Sequence, residues 1–182
     1  MNPLNTLSEL LERPETLAAE PRPAGLGRAG MLGYLAGTLG LFVYLRLFAA
    51  VPPGVMSFLA ALGLVLSANF LLVGVMHLFL DLTGAGKGSA ARLFLAFGLT
   101  DYFLALLVPL AFFAKLGVLG AFLWFVLCAM LVLYARVRLV RRLYTVSANK
   151  AVLSVWLPYA GFCGVFFLLF VYSIAWLVWL VI

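Results

Sequence analysis

A chain of 182 residues that is 66% hydrophobic and only 10% charged cannot be an ordinary soluble domain, whose charged share is about a quarter. It reads as an all-α polytopic membrane protein. The net charge of +6 would point to nucleic acid in a soluble protein, but these bases sit between apolar runs, where they report orientation; no nucleic-acid partner follows.

Residues 1–28 are the extended polar region and are expected to form a cytoplasmic N-terminal segment. Within it, Pro3 to Arg13 reads as a short amphipathic helix. Asn2 can cap it, Pro3 suits its first position, and Leu4, Leu7, Leu10 and Leu11 share one face. Pro14, Pro21 and Pro23, with Gly25 and Gly27, then interrupt regular structure. The first apolar run starts only near Ala29, so this beginning does not look like a cleaved secretory signal.

Residues 29–182 are expected to form one domain of five transmembrane helices, with spans at about 29–50, 55–80, 91–113, 118–135 and 151–182. In the first span Gly30, Gly33, Gly37 and Gly40 follow helical spacing and predict a face for close helix packing. The second carries Ser67 and Asn69. It ends with His77 and Asp81, which share a helix face and are expected to touch, seating the turn that contains Lys87. The glycines of Gly84-Ala85-Gly86-Lys87-Gly88 do not have Walker spacing, and no strand precedes them. The third span holds Asp101 well inside and Pro109 toward its far end. Lys115-Leu116-Gly117 is so short a turn that spans three and four become antiparallel neighbours. The final charge-free run is expected to be one tilted or kinked helix, with Pro158, Gly161 and Gly164 as bending points and Ser147 as its cap.

Five crossings put Arg13, Arg22, Arg28, Lys87, Arg92, Arg136, Arg138, Arg141, Arg142 and Lys150 on one side, and only Arg46 and Lys115 on the other. The positive-inside rule then predicts a cytoplasmic N-terminus and an extracytoplasmic C-terminus.

An ionised carboxylate deep in a bilayer is costly unless paired, protonated or hydrated, so Asp101 needs a partner. Asn69 and Asp101 each lie roughly 15 to 18 Å from the cytoplasmic ends of their spans at about 1.5 Å per residue, and can meet at one level. Thr100, Ser67 and Tyr159 are further donors at similar depth. Such a cluster is either a pocket for an ion, proton or headgroup, or an interhelical hydrogen-bond clamp. Arg136, Arg138, Arg141 and Arg142 are expected together at the cytoplasmic interface, as topology anchors or as contacts for anionic lipid or a partner. With His77 the sole histidine, no metal-ligand pair, catalytic triad or paired carboxylate can be drawn; no catalytic, cofactor or metal site is expected. Cys128 and Cys163 lie in apolar runs and are expected to be buried free thiols.

Several stretches resemble the Yip (Ypt/Rab-interacting protein) domain family. They are Leu11-Glu12-Arg13-Pro14-Glu15, the glycine-rich turn at 84–89, Tyr102 to Pro109, and Tyr144-Thr145-Val146-Ser147-Ala148-Asn149-Lys150-Ala151 followed by Pro158. The resemblance implies five spans, a cytoplasmic N-terminus and a scaffolding role in membranes. The Asp-Leu-Tyr-Gly-Pro motif of the eukaryotic branch is not found, which points to a bacterial-type member. The preference for arginine over lysine and the Ala, Leu and Gly abundance suit the inner membrane of a GC-rich bacterium. The expected function is that of a membrane scaffold or organising protein. Its expected partners are membrane lipids, anionic ones included, an unidentified membrane or cytoplasmic protein, and a second copy in a homo-oligomer. The alternatives are a small transporter or channel component with a polar site at Asp101, or a lipid-handling protein.

Overall fold

A computed structural model describes residues 25–48, 50–84, 88–117 and 120–181. The helix expected over residues 3–13 and the side chain of Lys87 lie outside the described residues. Those described are helical with no strand among them, and five stretches are long and apolar enough to cross a membrane. The first two are α1 (Leu26–Leu47) and α2 (Val55–Leu82). The third is composite: α3 (Ala90–Asp101), a 3₁₀ stretch (Tyr102–Leu106), then α4 (Leu107–Lys115). Last come α5 (Ala121–Leu143) and α6 (Ala148–Val181).

Local chemistry accounts for most of these boundaries. Pro109 has no N–H for the Ala105 carbonyl and its ring crowds that oxygen, so the preceding turn tightens into the 3₁₀ form. The arginine-bearing segment past the expected span of 118–135 continues the same helix, and α5 runs to Leu143. Arginine is a good helix former, and Arg141 and Arg142 lie at the negative end of the helix dipole. Helix α6 is a single helix of 34 residues with Pro158 inside it. Ser147 caps its start, its Oγ accepting from the Lys150 N–H at 3.4 Å.

Helix α1 lies closest to the third span, and the glycines are the reason. Gly30 faces the backbone of Leu95, Gly33 that of Gly98, Gly37 that of Asp101 and Gly40 that of Leu104 and Ala105. A Cβ at Gly40 would fall 2.6 Å from the Ala105 Cα, a separation no real side chain tolerates. Gly98 answers from α3, and the Tyr34 hydroxyl ties the pair by donating to the Phe94 carbonyl at 2.7 Å.

The main core gathers Tyr34, Met76, Leu80, Leu93, Phe97, Val140 and Val155 toward the end of the bundle where α5 carries its arginines. A smaller cluster of Tyr44, Leu107, Ala111 and Cys128 lies toward the other end. Cys163, expected to be buried, is exposed, because every residue of α6 from Ala160 to Leu180 stands outside the core of the bundle.

Candidate functional site

Phe97, Thr100 and Asp101 occupy positions i, i+3 and i+4 of α3 and so share one face. Arg136 meets them from α5. A helical side chain leans toward its helix N-terminus, which for α5 is the end away from the other arginines, so Arg136 reaches into the bundle. Its Nη2 donates to Asp101 Oδ1 at 2.5 Å and its Nε to Thr100 Oγ1 at 3.1 Å. Its Nη1 donates to the Tyr159 hydroxyl on α6. The guanidinium carbon also stands 4.6 Å from the centre of the Phe97 ring. Thr100 spends its own proton on the Phe97 carbonyl at 2.7 Å, which leaves its oxygen free to accept from Arg136.

Asp101 is 1% exposed and Arg136 4%. Two charges so far from water persist only because each satisfies the other: either alone is strongly unfavourable, whereas the pair is neutral overall. The group therefore bolts three of the five apolar stretches together, α3 and α5 through the ion pair and α6 through Tyr159. Three buried oxygens, Asp101 Oδ2, Asn69 Oδ1 and Thr38 Oγ1, have no hydrogen-bond partner among the described residues.

This arrangement corrects the expected cluster in several places. Arg136 does not belong with the interfacial arginines, since it is the buried partner that Asp101 required; Arg138 and Arg141 are exposed and Arg142 half-buried. Asn69 does not bond to Asp101. Its amide turns back to the Val65 carbonyl at 2.9 Å, one turn earlier in its own helix. Ser67 is exposed, because residues two apart in a helix do not share a face and Asn69 takes the inward one. Thr100 and Tyr159 do join the group, each by accepting from Arg136 and neither by a bond to Asp101.

At the arginine-bearing end, His77 pairs with Tyr144 and not with Asp81: its Nδ1 lies 2.8 Å from the Tyr144 hydroxyl, while Asp81 is exposed. Burial first, and the Asp81 carboxylate second, push the Tyr144 hydroxyl up to about 12. Gly88 allows the α2–α3 connection to pass over the Tyr144 ring, where any Cβ would collide. Lys150 Nζ donates to the Thr83 carbonyl at 2.5 Å, joining the end of α2 to the start of α6. Among the described residues no group of three or more His, Cys, Asp or Glu side chains could hold a metal ion.

Sequence reasoning overlooked Arg136 as a core residue, though a signal existed: it lies on the same helical face as Cys128, Val132, Leu139 and Val140, all buried. Tyr34, Phe97 and Gly98 had no comparable mark. No family model, curated protein or solved structure matches the chain.

Proposed function

We propose that this chain is a multi-pass integral membrane scaffold of the Yip type. It crosses a bacterial inner membrane five times, with its N-terminus in the cytoplasm and its C-terminus outside, and has no catalytic role. It works by presenting its arginine-bearing cytoplasmic face, with Arg138 and Arg141 outward, to anionic lipid or to a protein partner. The observation that carries this reading is the engagement of Asp101 with Arg136. The charges inside the apolar bundle are occupied in holding helices together, which is what a clamp needs and what a transport site must give up.

The experiment is reconstitution of purified protein into liposomes with ion and solute flux measurements. The expected result is no flux above empty liposomes; flux that disappears in Asp101→Asn overturns the scaffold. Topology is checked separately, by a C-terminal reporter that works only outside the cytoplasm. A second reading, a transporter or channel component, draws on the three unpartnered oxygens of Asp101, Asn69 and Thr38 as a polar waypoint. The flux assay discriminates between the two.

A further inference from the structure

Helices α2 and α6 are pressed together where Met76 and Leu80 meet Ala151 and Val155, and they part beyond Pro158. There the bundle opens into an apolar crevice of about 470 Å³, floored by the buried Leu72 and Pro158 and walled by Leu71, Val75, Leu157 and Phe162. Its volume is that of a site for a small apolar ligand. Gly161 also lines it, and a Cβ at that position would meet nothing within 4 Å, so a side chain there has room to project into the opening.

The crevice has a charged head. Lys150, Ser154, Leu157 and Gly161 recur at helical spacing along one side of α6, so Lys150 stands above the crevice, roughly 10 Å from Leu157 and 17 Å from Gly161 along the axis. Its ammonium has three donors and gives one to the neutral Thr83 carbonyl. Among the described residues no carboxylate lies within ion-pair distance of Lys150. A cation at the level of the helix ends and an apolar slot beginning about 10 Å deeper match a molecule with an anionic head and a hydrocarbon tail.

We infer that the α2–α6 crevice holds one acyl chain of an anionic glycerophospholipid, with its phosphate against Lys150. This rests on the membrane reading above. The test reconstitutes the full chain in phosphatidylcholine vesicles. A trace of either phosphatidylglycerol or phosphatidylcholine, with a photoactivatable diazirine in one acyl chain, serves as the probe. Carbonate extraction comes first: protein released from the vesicles defeats the membrane reading itself, before the lipid site is tested.

In protein that stays inserted, phosphatidylglycerol is expected to label the Leu71–Val75 and Leu157–Phe166 peptides above the rest of α6. Its excess over phosphatidylcholine is expected to be about fivefold, the ratio expected for one lysine near an anionic headgroup. Gly161→Phe fills the crevice and abolishes that excess, and Lys150→Gln removes the preference between headgroups. Gly164→Phe, whose Cβ also meets open space but which does not line the crevice, leaves both unchanged. Even labelling along α6, equal labelling by the two probes, or the same result from both phenylalanine variants overturns the inference.

Discussion

The third span and α6 are both apolar enough to cross a membrane, yet one is embedded among neighbours and the outer half of the other, from Ala160 to Leu180, is exposed throughout. The third span carries Gly98, Thr100 and Asp101, and each draws in another helix: α1 approaches at the glycine, and α5 binds at the threonine and the carboxylate. From Ala160 to Leu180 α6 offers chiefly Phe, Leu, Val and Trp, which are as content against lipid as against protein. In an apolar medium, greasy surface does not choose partners. Small residues and polar groups choose them, because only they lose something when left unpaired.

The most severe way to test this contrast is Arg136→Ala, which strands the Asp101 carboxylate. It is expected to lower unfolding free energy by about 3–5 kcal/mol in a denaturant titration, while Phe167→Ala on α6 changes it by less than about 0.5 kcal/mol. A large loss at Phe167 would mean that the outer half of α6 is covered by another molecule. Replacing both partners, as Asp101→Leu with Arg136→Met, is expected to recover most of the loss, since no lone charge remains. Next in size is Gly37→Val. Its Cβ would sit 2.9 Å from that of Asp101, so α1 and α3 must separate, at a cost of about 1–3 kcal/mol seen as a lower unfolding midpoint. Gly164→Ala meets open space and leaves the midpoint where it was.

Ser147→Ala removes the cap of α6 and is expected to cost about 1 kcal/mol, measured in the same titration. The effect at Tyr144 is a pH dependence, confined to alkaline pH and absent at neutral pH. Its hydroxyl titrates at about 12 against an ordinary 10.0, so the folded form holds its proton where the unfolded form has lost it. The stability this hydroxyl contributes is complete below pH 10 and is lost as pH rises toward about 12. A plot of unfolding midpoint against pH is expected to fall less steeply across that window in Tyr144→Phe.

The five apolar stretches and the glycine side of α1 were readable because each leaves a periodic trace in the sequence. The need of Asp101 for a partner was readable from solvation physics alone. Which partner it takes was not. Arg136 was grouped with Arg138, Arg141 and Arg142 by proximity in sequence, and only the continuation of α5 through that region turns it inward. Asn69 is buried, but whether an amide bonds across helices or back to its own depends on a side-chain torsion that spacing does not encode. The bond between His77 and Tyr144 joins residues 67 positions apart, beyond the reach of any local pattern.

The ion pair also bears on how the protein is made. Asp101 leaves the ribosome 35 residues before Arg136, with only a short turn between their spans. On the membrane reading proposed above, neither segment enters lipid cheaply alone, since a charge near the middle of an inserting helix costs about 2.5–3.5 kcal/mol, whereas the hairpin they form together can cancel its charges before it leaves the translocon. Nascent chains truncated before Arg136 are therefore expected to linger at the insertion machinery, and those extended just past Leu143 to be released, an order readable by crosslinking to the translocon at successive lengths.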